Sequence, residues 1–540
     1  MPPSEAPWRR RFRAASVSFP SWARDRPDRL LYASNSSGKW ELYAWDRERD
    51  THRQVTDRPE GTTHGRLDPT GQWIWWFDDD KGNEFGRWMI EPFEGGRPEP
   101  AAPDLGPAYS GGLALGRGFA LIGSSTDDGS AVHLRRDGRS EPLYEHREEA
   151  TVGGLSRDER LFALSHSEHG DSRHPAVRVL DLSGDAVAEM WDGPGRGLWP
   201  SGWSRVLGDG RLIVTQERTD LPRPLVWTPE RDDVLEAEID LPGEVGASWY
   251  PDGEIWFARS SASTPPEIRT PAGVLLRPLG QPAPRGVAYT DLDVEGIHVF
   301  LAEPAGGRPH PAVFLVHGGP TYHDRDTFSP RVQAWVDHGF AVVLVNYRGS
   351  TGYGKAWRDT LEHDPGFPEV EDVTKVRDHL TKEGVTDPDR VVLAGGSWGG
   401  YVTLLGLGTR PEAWGLGIAA VPVADYVAAF EDEMEPLKAF DRALFGGSPE
   451  EVPELYGERS PITYVDRVRV PVLVLAGEND PRCPIRQIDN YVARLRELGA
   501  PHEVYRYDAG HGSLVVDETI RQIEAMLAFA SRHLGTPPPQ

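Results

Sequence analysis

The chain has 540 residues, a formal net charge of -26 and a single cysteine, Cys483. That length suits two large domains or up to four smaller ones, each able to bury a core unaided. The acidity argues against a general electrostatic affinity for nucleic acid, and one cysteine excludes an internal disulfide framework.

The first residues, MPPSEAPWRRRFRAASVSF, are basic but lack the apolar stretch of a secretory leader. No window approaches the roughly 18 apolar residues of a membrane helix. A soluble, cytoplasmic protein is expected, with homo-oligomerisation left open. The acidic residues are spread along the chain and read as a solvated surface.

Short apolar runs then recur at Leu30–Tyr32, Ile74–Phe77, Ala120–Ile122, Leu161–Leu164, Leu212–Val214 and Ile255–Phe257. A spacing of about 40–50 residues matches one four-stranded propeller blade. Turns of one style, Asp68-Pro69-Thr70-Gly71, Gly208-Asp209-Gly210 and Pro251-Asp252-Gly253, precede several of them. Partner strands follow polar loops, as at Glu41–Trp45 and Ala176–Leu180. A β-propeller over residues 1–284 is expected, with six clear repeats and room for a seventh, degenerate blade near the N-terminus. A string of β-sandwiches would not require so even a period.

Beyond the Pro/Gly-rich stretch Leu279–Gly286 the pattern changes. A hairpin is expected over Tyr289–Pro304. Continuous apolar runs follow at Ala312–Val316, Phe340–Val345, Val391–Ala394 and Val472–Ala476, as in parallel strands buried on both faces. Helical periods lie between and after them: Val370, Val373 and Leu380; Ile488, Val492, Leu495 and Leu498, stopped by Gly499; and Ile520, Ile523, Leu527 and Leu534. Residues 285–540 therefore read as an α/β-hydrolase domain.

The chemistry concentrates there. Gly395-Gly396-Ser397-Trp398-Gly399-Gly400 is a G-x-S-x-G nucleophile elbow placed between a strand and a helix. A serine needs a base, and the hydrolase order is Ser, then Asp or Glu, then His. Asp480 follows the strand Val472–Ala476, with Glu478 as its rival. His511 stands between two glycines after the strand Glu503–Tyr507. Oxyanion donors are expected from the backbone of Trp398 and from His317-Gly318-Gly319-Pro320, where Gly319 is the first choice and Gly318 the second. His317 itself reads as structural.

These motifs, with Asn346-Tyr347-Arg348-Gly349-Ser350-Thr351-Gly352-Tyr353-Gly354 and Asp480-Pro481-Arg482, resemble the prolyl oligopeptidase family, especially its acylaminoacyl-peptidase-like branch. The resemblance implies a propeller capping the hydrolase, with the active site in a cavity between them. It implies that Arg482 holds a substrate carbonyl. It also implies a backbone oxyanion donor, because the early loop carries His317-Gly318-Gly319. Dipeptide-trimming members grip the substrate amine with adjacent propeller glutamates. The one such pair in this propeller, Glu148-Glu149, lies on a loop unlike the family's segment, and the role is not carried over. Glu84 could serve. Val421, Tyr426 and Phe430 could line the acyl-side pocket or belong to the core.

The function this implies is a serine peptidase for short peptides, exo-acting, as an aminopeptidase or acylaminoacyl peptidase. The alternative keeps the mechanism and takes small aminoacyl amides, such as the aminonucleoside antibiotic puromycin. A catalytically dead propeller that binds partners is the remote reading. No metal or cofactor is expected: H-E-x-x-H spacing is missing and Cys483 has no cysteine partner.

Overall fold

A computed structural model describes residues 5–216, 223–236, 248–249, 255–270, 272–276 and 281–536. The turn expected at Pro251-Asp252-Gly253 and the Leu279-Gly280 start of the linker lie outside the described residues. From Ser21 to Leu276 the described chain forms six units of four consecutive antiparallel strands. Each apolar run read from the sequence belongs to the second strand of its unit: Arg29–Ser34, Trp73–Asp79, Phe119–Thr126, Leu161–His166, Leu212–Gln216 and Ile255–Ser261. A second strand is flanked on both edges and, in five of these six, is described as largely buried. It therefore carries the strongest hydrophobic signal in each repeat.

Apolar side chains weld neighbouring units into a propeller. Leu31, Ala33 and Leu42 pack with Ile74 and Trp76, and Phe162 and Leu164 pack with Leu121 and Val132. Closure brings Leu30, Tyr32 and Trp45 of the first unit against Ile268 and Leu276 of the last. Units two and three also join by strand pairing at Phe85↔Tyr109 and Gly86↔Ala108.

No seventh unit appears among the described residues. The N-terminal segment is instead a helix, Pro7–Arg13, and it packs on the hydrolase. Trp8 is 2% exposed and shares a core with Trp335, Phe340 and Phe529. Arg9 pairs with Glu524 at 2.7 Å, so the basic N-terminus is matched by hydrolase acids.

The hydrolase sheet has eight strands: β1 (Thr290–Val294), β2 (Ile297–Ala302), β3 (His310–Val316), β4 (Ala341–Asn346), β5 (Thr386–Gly396), β6 (Leu416–Ala420), β7 (Val472–Gly477) and β8 (His502–Tyr507). Their order is β1-β2-β4-β3-β5-β6-β7-β8. The β1–β2 hairpin is antiparallel and joins β4 antiparallel, while β3 to β8 run parallel. Side chains alternate between two cores. Ala341, Val343 and Val345 of β4 face the helices Phe367–Lys382, Trp398–Thr409 and Ile485–Glu497. Val342 and Leu344 face Pro330–Asp337 and Val516–Leu534. Burial on both faces is why these strands read as continuous apolar runs.

Propeller and hydrolase meet around the segment after β8. Trp40 N–H donates to Leu514 O at 3.0 Å, and Val516 N–H donates to Gly38 O at 2.9 Å. Lys81 Nζ lies 2.7 Å from Asp508. Elsewhere on the interface, Arg358 Nη2 meets His174 Nε2 at 3.0 Å. No helix among the described residues is long and apolar enough to cross a membrane.

Candidate active site

β5 ends at Gly396 and the helix Trp398–Thr409 starts at once, so Ser397 alone turns the chain, with φ 55° and ψ -123°. This conformation is costly for a residue with a Cβ and persists only where packing enforces it. Ser397 N–H donates to Ala420 O at 2.9 Å. The glycines of the motif answer to backbone crossings: a Cβ on Gly395 would meet Gly399 O at 2.3 Å, and one on Gly399 would meet Val316 O at 2.0 Å.

Asp480 follows β7 and is 5% exposed. Its Oδ1 accepts the backbone N–H groups of Arg482 at 2.9 Å and Cys483 at 3.0 Å. Its Oδ2 lies 2.8 Å from His511 Nδ1. A carboxylate so held fixes both the orientation and the tautomer of the imidazole. Glu478, the rival, is exposed. Ser397, Asp480 and His511 leave the carboxyl ends of β5, β7 and β8, on one edge of the sheet, where sites in such sheets form.

The glycine loop after β3 runs beside the elbow. A Cβ on Gly318 would lie 3.3 Å from Ser397 Cβ, and Gly319 sits at φ 126°. Behind this loop, His317 is buried and stacked on Tyr347 at 4.2 Å. Its Nδ1 is 2.8 Å from Gly318 O, and its Nε2 is 2.8 Å from Ser350 Oγ. Burial drives its pKa down to about 4, which suits a neutral ring that ties the glycine loop to the Asn346–Gly354 segment.

Trp398 is anchored by a residue that the sequence reading missed. Its Nε1–H donates to Glu369 Oε1 at 3.1 Å, and Gly366 N–H donates to Glu369 Oε2 at 2.8 Å. Burial pushes the Glu369 carboxyl up to about 8. The available signal was a glutamate in the first turn of Phe367–Lys382, three residues after the N-cap Gly366, with Pro368 ahead of it.

A cavity of about 610 Å³ spans the two halves. Glu84, Tyr109 and Glu149 line it from the propeller, and Met434, Arg482 and His511 from the hydrolase. Arg482 and Glu84 meet each other there, with Nε to Oε1 at 2.7 Å and Nη2 to Oε2 at 3.0 Å. Glu149 was set aside at the sequence level, yet its loop turns into this cavity. The side chain is half-buried, and desolvation pushes its carboxyl up to about 7. Tyr426 requires a correction: it is 1% exposed, enclosed by Tyr401 at 5.0 Å and Phe445 at 4.9 Å, and offers no face to a substrate. Apolar packing claims the ring because the helix Tyr426–Asp432 lies flat on the core. Val421 is likewise buried, and Phe430 packs on Tyr456 at 5.9 Å.

Residues 326–537 match the sequence model of the prolyl oligopeptidase family. The acylamino-acid-releasing enzyme of Rattus norvegicus is 31% identical over 295 residues, covering 52% of this chain and 39% of that enzyme. The chain thus spans well under half the length of this curated relative. Among solved structures, a puromycin-hydrolyzing peptidase of Mycobacterium tuberculosis superposes with a TM-score of 0.65 at 21% identity, over 100% of this chain and 97% of that one. A prolyl endopeptidase superposes with a TM-score of 0.82 at 16% identity, over 98% and 91%. These likenesses carry the two-part fold, a propeller followed by an α/β-hydrolase. The segment that bears the elbow, acid and histidine is thus the part of the chain that matches the prolyl oligopeptidase family.

Proposed function

We propose that the protein is a serine peptidase that cleaves amide bonds of short peptides through an acyl-enzyme. The observation that carries this is the Asp480–His511 contact of 2.8 Å on the same sheet edge as the strained Ser397 elbow. Ser397 Oγ attacks the carbonyl, and His511 takes its proton and then delivers it to the leaving amine. Asp480 orients the imidazole and stabilises its charged form. The backbone N–H groups of Trp398 and Gly319, with Gly318 as the second choice, receive the oxyanion. Water then releases the acyl group by the reverse proton path.

Arg482 and Glu84 face the substrate from the two sides of the cavity. Glu149 favours the free-amine form of the reading, an aminopeptidase or a hydrolase of small aminoacyl amides, over an acylaminoacyl peptidase. A half-buried carboxyl with a raised pKa gains most from an incoming ammonium group. The working division is 1–284 and 285–540, with the helix Pro7–Arg13 counted with the hydrolase by its packing. The single cysteine suits a cytoplasmic setting.

The test compares an aminoacyl amide, its N-acetylated form, puromycin, a peptide of about ten residues and casein. Turnover should be highest with the small free amines, and casein should stay intact. Ser397→Ala should lower kcat by roughly 10⁴–10⁶ and abolish labelling by an active-site phosphonate. Retained turnover in that variant would remove the assignment.

A further inference from the structure

The only cysteine of the chain stands three residues after Asp480. Cys483 is 3% exposed, and its thiol has no part in the mechanism above. Its sulfur, a carboxylate oxygen of Asp480 and a ring nitrogen of His511 all lie within 4.8 Å of one another. Two further carboxyl groups are buried nearby. Glu433 and Asp441 are each only 5% exposed, and Glu433 Oε1 and Asp441 Oδ2 make no hydrogen bond.

We propose that Asp480, Cys483 and His511 form a binding site for a soft divalent cation, with Zn²⁺ as the probe ion, whose occupation switches the triad off. Sulfur, imidazole nitrogen and carboxylate oxygen are the donor types zinc takes, at about 2.0–2.3 Å. Two donors on a tetrahedral ion at those distances stand roughly 3.5 Å apart, so small side-chain movements close the site. Calcium and magnesium, which require all-oxygen shells, do not fit a thiol-bearing set.

Binding releases the thiol proton to solvent, and the imidazole coordinates in its neutral form. The thiolate and the Asp480 carboxylate then cancel the two charges of the ion, so the site passes from one negative charge to neutrality. His511, whose side chain is 17% exposed, borders the interdomain cavity and gives the ion its way in. A metal on Nδ1, the nitrogen that faces Asp480, leaves the proton of the neutral ring on Nε2, where catalysis needs a free lone pair, and an Asp480 oxygen held by the metal no longer orients the ring. The effect on activity rests on the reading of His511 and Asp480 as triad members, whereas the binding does not.

Titrating the Ser397→Ala protein with Cd²⁺ should raise the ultraviolet thiolate-to-cadmium band, which in this chain can arise only from Cys483. Equilibrium dialysis should find one Zn²⁺ per chain, lost when Cys483→Val is added. Zn²⁺ should inhibit the intact enzyme, and EDTA should reverse it. Cys483→Val should need at least tenfold more Zn²⁺, each rate taken against the variant's own zinc-free value. Thermal unfolding checks that this variant folds, and Cys483→Ala replaces it if it does not. A missing cadmium band, or equal zinc sensitivity in the cysteine variants, overturns the site. If no amide substrate is turned over at all, the cadmium titration still decides the site by itself.

Discussion

Arg482 and Glu84 clasp each other across the cavity, two guanidinium nitrogens on two carboxylate oxygens at 2.7 and 3.0 Å. One follows the acid of the triad and the other sits on a propeller turn at φ 58°. The pair ties Arg482 to the propeller, so the position of one half sets the aim of a side chain in the other. A planar fork is required for this geometry, and lysine cannot reproduce it. Arg482→Lys should raise KM for short amides about tenfold, a loss of about 1.4 kcal/mol, with kcat little changed. Glu84→Gln should raise KM by about half as much in free energy, because it frees the guanidinium without removing it. Steady-state kinetics on both variants checks this, and an unchanged KM in Arg482→Lys would separate the arginine from substrate binding.

Asp480 rather than Glu478 contacts the imidazole. Asp480→Asn should therefore lower kcat by about 10⁴ through the wrong tautomer while the protein stays folded. Glu478→Gln, at an exposed position, should stay within about twofold of wild type. The reverse ranking in a side-by-side rate measurement would reassign the acid.

Glu149 gives a pH signature. Its carboxyl is raised from 4.5 to about 7, so between those values the folded protein holds a proton that the unfolded chain has lost. Stability conferred by this group therefore falls as pH rises through that window. Glu149→Gln should be more stable than wild type by roughly 1–3 kcal/mol near pH 8 and not near pH 4. KM for free-amine substrates should fall as pH rises through about 7, until the substrate amine loses its proton near 8. N-acetylated substrates should lack this trend, as should Glu149→Gln with either substrate. Denaturant melts and KM profiles across pH read both effects.

Two glycines of the elbow, Gly396 and Gly399, differ sharply. The nearest atom to a Cβ on Gly396 would be Ala420 O at 3.8 Å, while a Cβ on Gly399 would meet Val316 O at 2.0 Å. Gly396→Ala should fold with a melting temperature close to wild type. Gly399→Ala should lose several kcal/mol or fail to accumulate folded, since backbone rather than a flexible side chain stands in the way. Comparable melting temperatures for the two would show that strand and helix do not cross as closely as described.

Much of this was legible in the residue order. The run Leu30–Tyr32 and its five counterparts marked the repeat, because a strand covered on both edges and buried against neighbouring blades must be apolar along its length. The elbow was legible because Gly395 must pass close to Gly399 within one strand–turn–helix segment, and Asp480 and His511 because each follows a parallel strand. What the residue order could not supply was which distant loops face one another. Trp8 looked like the start of a propeller and instead buries itself against Trp335. Tyr426 fits a pocket wall or a core by its spacing, and the packed structure places it in the core. Glu149 looked like a surface loop residue and came to line the cavity with His511. Local spacing records what a segment needs from its own strand or turn. Burial of Trp8 and the desolvation of Glu149 arise only when segments hundreds of residues apart exclude water together, and burial of Tyr426 only when the helices around it pack, so all three depend on the packed fold.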